Sequence, residues 1–184
     1  MPIEFKTYEI PTFDEVMSRA NRARSHAIPL LRTLREFDDE DLETRQHAAE
    51  MAIKEMGITF TVYSEGDAID RAWPFDIVPR IIPKSEWDVV EAGLKQRVMA
   101  LNLFIDDLYH GQKIVKDGVF PKEVLAKSKN FRPQCVGIDP PLGIWAHICG
   151  SDLVRDSDGT LYVLEDNLRV PSGVSYMLEN RLIT

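Results

Sequence analysis

The stretch Ser151-Asp152-Leu153-Val154-Arg155-Asp156-Ser157-Asp158-Gly159-Thr160-Leu161-Tyr162-Val163-Leu164-Glu165-Asp166-Asn167 sets two apolar runs on either side of an Asp-Gly pair. Asp-Gly between such runs is the strongest short-range signal for a β-hairpin, since both residues tolerate the positive φ that hairpin turns need. With Asp158 and Gly159 as a two-residue turn, Ser157 faces Thr160, and counting outward sets Asp152 opposite Glu165. Opposed side chains lie about 5 Å apart at Cβ. Asn167 falls on the same face as Glu165, because side chains alternate along a strand.

Two carboxylates side by side repel and call for compensation. A divalent cation supplies it: magnesium favours oxygen ligands and is held by one or two carboxylates, with water and substrate phosphates filling the other positions. Asp152, Glu165 and Asn167 are such a set, which points to a magnesium–nucleotide site. The simpler alternative is a solvated hairpin whose charges keep it soluble, and on the Asp-Gly turn alone that alternative is preferred. The adjoining segment changes the weighing, because Leu168-Arg169-Val170-Pro171-Ser172-Gly173-Val174-Ser175-Tyr176 combines a fixed cation, turn formers and hydroxyls in a substrate-facing loop.

The run from Leu164 to Tyr176 resembles the circularly permuted ATP-grasp proteins (type 2), relatives of glutathionylspermidine synthetase. Further matching motifs are Trp73-Pro74-Phe75-Asp76-Ile77-Val78-Pro79-Arg80-Ile81-Ile82-Pro83, Gln96-Arg97-Val98-Met99-Ala100-Leu101-Asn102 and Gly150-Ser151-Asp152-Leu153-Val154-Arg155-Asp156. The resemblance runs from about Gly57 to Arg181. It implies that Glu165 and Asn167 are the last-strand metal ligands and Asp152 the upstream one. It also implies ATP and Mg2+ as cofactors, and amide-bond formation between a carboxylate and an amine through an acyl phosphate. Arg169 would then clamp a phosphate or substrate carboxylate with its planar fork. Ser172, the Gly173 amide and Ser175 would add donors at a helix start.

Proteins of this permuted type continue well beyond the Pro-Ser-Gly motif, whereas only Met177 to Thr184 follow here, enough for about two helical turns. No Gly-x-x-x-x-Gly-Lys or Gly-x-Gly-x-x-Gly loop replaces the missing nucleotide-binding part. The expectation is therefore an N-terminal portion or truncated relative of a longer ligase, without ATP turnover of its own. The other reading is an inactive binding or regulatory module, and the implied partners are the missing C-terminal ATP-grasp part or a partner protein. A third reading is a metal-independent structural domain, in which Arg155 or Arg169 neutralises the paired carboxylates.

The chain has 184 residues, 44% hydrophobic and 28% charged, which suits one sizeable core with a small appended element. A net charge of −8 and a pI near 5.0 argue against nucleic acid and anionic membranes, which call for basic surfaces. No apolar run reaches roughly 18 residues and no charged-then-apolar leader opens the chain, so the cytoplasm is the default expectation. Cys135 and Cys149 give neither zinc spacing nor a disulfide framework and read as packing residues. His147, two residues from Cys149 on an expected strand Ile144 to Cys149, is too far for a direct hydrogen bond but stands where it could line a pocket.

The division expected is a helical segment over 1–56 and an α/β portion over 57–184, the latter holding the pre-ATP-grasp region and the start of the ATP-grasp domain. Thr12 with Glu15 reads as a capping box opening a helix toward Leu34, with Pro29 breaking or kinking it. A second helix should begin in Asp38-Asp39-Glu40-Asp41, where acids favour a helix N-terminus, and stop at Gly57. Arg19, Arg22, Arg24, Arg32 and Arg35 read as scattered surface charge. Ile58 to Tyr63 alternates as a strand closed by Ser64 to Asp67. From about Glu86 to Tyr109, Trp87, Val90, Leu94, Val98, Leu101, Phe104, Ile105 and Leu108 recur at helical spacing, which predicts a scaffold helix with one buried face. Residues 113–129 read as a strand or hairpin followed by a short helix. Arg80 and Arg97 are either ligand contacts or ion-pair residues. The fold predicted is mixed α/β: N-terminal helices, a long packed helix and a central β-sheet containing strands 144–149, 151–155 and 160–167.

Overall fold

The computed structural model describes residues 8–10, 12–20, 22–64 and 67–183, and of residues 59–72 the backbone alone. The architecture is mixed α/β, in two compact units. Unit one comprises residues 1–84, 154–162 and 172–184, and unit two residues 85–153 and 163–171.

In unit one, the carboxylate of Asp14 decides what happens near the N-terminus. Its Oδ1 accepts from the amides of Val16 and Met17, each at 2.7 Å. A side chain that captures local N–H groups competes with helix formation. The chain accordingly enters a short ribbon, β1 (Met17–Arg19) paired antiparallel with β2 (Arg22–Ala23), in place of the helix expected from Thr12. After a 3-10 turn at Ser25–Ala27 comes α1 (Ile28–Leu34), with Pro29 in its first turn. Proline is tolerated there because its missing N–H has no intrahelical partner. It opens this helix and does not break one.

Helix α2 (Asp39–Glu55) begins in the acidic run, where Asp38 and Asp41 form a reciprocal capping box. It ends ahead of Gly57, whose φ of 68° is the left-handed conformation that suits glycine. Strands β3 (Thr59–Ser64) and β4 (Asp67–Ala72) pair in antiparallel register from Thr59 opposite Ala72 to Ser64 opposite Asp67. The expected turn between them includes residues 65 and 66, outside the described residues. The C-terminal helix α6 (Gly173–Ile183) packs against α2. Tyr176 of that helix stacks on Trp73 at 4.2 Å between ring centroids.

Unit two is organised by α3 (Lys84–Tyr109), whose first residue still counts with unit one. The length matches the sequence pattern, but none of its residues is buried. Its apolar stripe is half-covered, and Met99 and Leu103 are each 65% exposed. Beyond it, Asp107 accepts from the amides of Lys113 and Ile114, both at 2.9 Å, and starts the single turn α4 (Lys113–Lys116). This cap makes a helical turn where a strand or hairpin was expected. Helix α5 (Lys122–Lys127) and 3-10 turns at Pro133–Cys135 and Pro141–Gly143 follow.

Residues 144–149 form no strand. Their amides have another acceptor: Asn102 Oδ1, on α3, accepts from Trp145 and Ala146 at 2.9 and 3.0 Å. Trp145 Nε1 also donates to Asp106 at 3.0 Å, and its ring stacks on Tyr109. Two of its amides are thus held by a helix side chain and that of Ile144 by the Pro141 carbonyl, which leaves the segment less free to pair with a neighbouring strand. Among the described residues the strands therefore make three separate two-stranded sheets rather than one central sheet.

The third sheet is the hairpin of β5 (Gly150–Arg155) and β6 (Leu161–Asn167). Residues 154–162 at its tip belong to unit one, and the base to unit two. The turn differs from the two-residue turn expected. Asp156 donates to the Thr160 carbonyl and Gly159 to the Asp156 carbonyl, both at 2.9 Å, so residues 157–159 form a three-residue loop. Gly159, at φ 91°, supplies the left-handed step such loops require. A Cβ on Gly159 would lie 2.4 Å from the Phe13 ring, so close packing excludes any other residue there as well.

Candidate functional site

The hairpin changes register along its length. At the tip, Asp156 faces Thr160. At the base, Ser151 Oγ donates to Asp166 Oδ1 at 2.7 Å, and a Cβ built on Gly150 would lie 3.9 Å from that of Asn167. Those pairings differ by one residue, so β6 carries one extra residue between tip and base. The inside-outside alternation breaks at Leu164 and Glu165, consecutive residues that are both exposed, which locates a β-bulge there. The three-residue loop and the bulge offset each other, and Asp152 stands in register with Glu165.

On this exposed face Asn167 Nδ2 donates to Glu165 Oε1 at 3.0 Å, and Asp152 is exposed as well. None of the described residues forms an ion pair with Asp152 or Glu165. Arg155, Arg80 and Arg97 are committed elsewhere. In unit one, Arg155 Nε donates to Glu15 Oε1 at 2.6 Å, and its Nη1 to the Gly159 carbonyl. Glu15 also receives Arg80 Nε at 2.8 Å. Arg80, reinforced by Arg155, holds the Glu15 carboxyl down to about 2 against the opposing effect of burial. In unit two, Arg97 Nε donates to Asp166 Oδ2 at 2.6 Å. Arg80 and Arg97 are thus ion-pair residues.

Asp166 points to the opposite face from its neighbours Glu165 and Asn167, and its side chain is only 8% exposed. Burial alone would raise its pKa. The Ser151 hydroxyl and the Arg97 guanidinium outweigh that and hold it below the ordinary carboxylate range. Sequence reasoning missed Ser151, Asp166 and Glu15, although the alternation of Glu165-Asp166-Asn167 already sends Asp166 inward.

Arg169 is exposed in the loop 168–171, where Val170 adopts φ 46°, a conformation β-branched residues rarely take. Next to it, Pro171 sits where a Cβ on Gly150 would lie 2.9 Å away, so the close approach requires glycine at 150. In unit one, Ser172 precedes α6, and its carbonyl accepts from the Ser175 amide at 3.0 Å. Ser172, Gly173 and Ser175 are all exposed.

A cavity of about 950 Å3 in unit two lies between α3 and residues 142–151. Trp87, Leu94, Met99 and Leu103 line it on one side, and His147, Cys149 and Ser151 on the other. Since Ser151 and Asp152 are consecutive in a strand, the cavity adjoins the face opposite Asp152, Glu165 and Asn167. Burial and the Asp166 charge push the Cys149 thiol up, so it is no ready thiolate. Among the described residues no three His, Cys, Asp or Glu side chains converge as a metal cluster, and both cysteines are free. No helix of the described residues is long and apolar enough to cross a membrane.

Residues 79–184 match the sequence profile of a family described as circularly permuted ATP-grasp type 2. The chain belongs to the circularly permuted ATP-grasp type 2 family. An uncharacterised protein of Synechocystis sp. is 44% identical over 98% of this chain and 38% of its own length. An uncharacterised protein of Mycobacterium leprae is 42% identical over 92% of this chain and 29% of its own. A Frankia alni protein named "Putative glutamate--cysteine ligase 2-3" is 40% identical over 98% of this chain and 21% of its own. The chain thus spans well under half the length of these relatives. The matched stretch of this ATP-grasp chain contains α3, the hairpin and the loop that follows it.

Proposed function

We propose that this chain supplies the Mg2+-binding part of an ATP-dependent carboxylate–amine ligase that works through an acyl phosphate. The observation that carries the reading is the face of the hairpin on which Asn167 bonds Glu165 in register with Asp152, with no described cation paired to either carboxylate. The donor chemistry fits the metal: two carboxylates and an amide oxygen are hard ligands, few enough to leave positions for phosphate oxygens. When bound, Mg2+ would neutralise charge on the phosphates of ATP. Asn167, by donating to Glu165, orients that carboxylate and keeps its own amide oxygen available. Arg169 would bind a phosphate or substrate carboxylate through its paired N–H groups. At the start of α6, Ser172, the Gly173 amide and Ser175 would offer donors to a phosphate or substrate, aided by the positive end of the helix dipole.

The test is calorimetry with Mg2+ and a non-hydrolysable ATP analogue, on this chain and on its Asp152→Asn, Glu165→Gln double variant. Magnesium-dependent nucleotide binding lost in the variant supports the reading. Equal binding by both removes the hairpin from it.

A second reading rests on α3. Its half-covered stripe beside an apolar cavity favours a non-catalytic module that pairs with another polypeptide, such as an ATP-grasp part or a ligase subunit. Metal-independent binding of such a polypeptide through α3 would support it, and a chain that stays monomeric and binds none would sink it.

A further inference from the structure

Glu165 and Asn167 need more than a strand to aim them, because a bulge lies at Glu165 and a bulge weakens the local ladder. The residue between them is anchored from behind. Asp166 points to the opposite face, its side chain largely covered, with one oxygen accepting from Ser151 Oγ at 2.7 Å and the other from Arg97 Nε at 2.6 Å. Ser151 comes from the partner strand β5 and Arg97 from α3, so the carboxylate is fixed from two elements of unit two. Holding both oxygens of Asp166 fixes the backbone on either side of it, and with it the directions of the two outward side chains.

We infer that Asp166 is a positioning residue: gripped by Arg97 and Ser151, it sets the geometry in which Glu165 and Asn167 meet a divalent cation. The inference rests on the function proposed above. It names Arg97, Ser151 and Asp166 as residues that change cation affinity without touching the ion. Partners one bond removed from a metal ligand typically contribute 10- to 100-fold in affinity.

The experiment measures Mn2+ binding to the whole chain by the loss of the free-ion electron paramagnetic resonance signal. Glu165→Gln serves as the ligand control, and circular dichroism and the thermal midpoint establish that each variant is folded. Arg97→Gln is the decisive variant, because positioning and simple electrostatics predict opposite signs. Removing a cation while leaving the Asp166 charge would tighten Mn2+ binding through space, whereas losing the grip on Asp166 weakens it.

The expected result is weakening of about tenfold or more for Arg97→Gln and for the charge-neutral Ser151→Ala. Partial recovery is expected for Arg97→Lys. Unchanged or tighter binding in Arg97→Gln and Ser151→Ala, with binding lost in Glu165→Gln, overturns the positioning role and leaves the metal site standing. Absence of Mn2+ binding in the unaltered chain overturns the metal reading and this inference together. Should Arg97→Gln fail to fold, Ser151→Ala and Arg97→Lys decide between the same two outcomes.

Discussion

Glu15 is a carboxylate that owes its place in the structure to partners 65 and 140 residues away. Arg80 and Arg155 lower its pKa from 4.5 to about 2. A depressed carboxylate contributes stability that is complete above its unfolded pKa and is lost as pH falls through the folded one. Unit one should therefore weaken between about pH 4.5 and pH 2, by roughly 1–3 kcal/mol once the exposure of Arg80 is allowed for. Acid titration followed by circular dichroism tests this: Glu15→Gln should lower stability at neutral pH and flatten the acid limb, and an unaltered acid limb would assign it to other carboxylates. In sequence, Glu15 resembled a capping residue because Thr12 stands three positions before it. Nothing local to residue 15 announces arginines so far along the chain. Asn102 carries a parallel lesson: one amide oxygen satisfies two backbone donors of residues 145 and 146. Asn102→Ala leaves both unmet and should cost about 2 kcal/mol. Thermal melting should register a drop of several degrees, and an unchanged midpoint would mean that water replaces the side chain.

At the scale of elements, legibility followed how local the deciding interactions are. Helices α2 and α3 were readable because a capping box, a glycine stop and a helical apolar repeat all lie within the elements themselves. The hairpin was readable for the same reason, while its turn was misread by one residue and its bulge was missed. The two errors offset, so Asp152 still comes into register with Glu165. Residues 144–149 looked like a strand because they are apolar, yet strand formation needs free ladder positions, and a helix side chain holds the amides of Trp145 and Ala146. Likewise β1 and β2 were hidden by a helical pattern that Asp14 overrides. Gly159 tests how firmly the turn is set. Gly159→Ala combines a left-handed backbone with a clash against Phe13, and should destabilise the chain by about 2 kcal/mol or more. Urea unfolding measures this, and a loss below about 0.5 kcal/mol would show that the loop relaxes to a different turn.

Over the whole molecule, burial is unevenly shared. The buried hydrophobic residues among those described are Met17, Ala27, Leu31, Ala49, Ile53, Ile58 and Ala146, and all except Ala146 lie in unit one. The long helix of unit two has none, although its 26 residues make it the longest of the described elements. Length supports a helix only modestly in water, since most helical stability in proteins comes from covering an apolar face. Local opening should accordingly be cheaper in α3 than in α2, because opening free energies follow buried apolar contact rather than element length. Native-state hydrogen exchange resolves the two helices amide by amide. Central amides of α3, between Leu94 and Leu101, should exchange about tenfold or more faster than those of α2 around Ala49 and Ile53. Protection of α3 equal to that of α2 would contradict this and would mean that its apolar stripe is covered in solution. A repeat at several protein concentrations would then tell coverage by a second copy, which fades on dilution, from coverage within the chain, which does not.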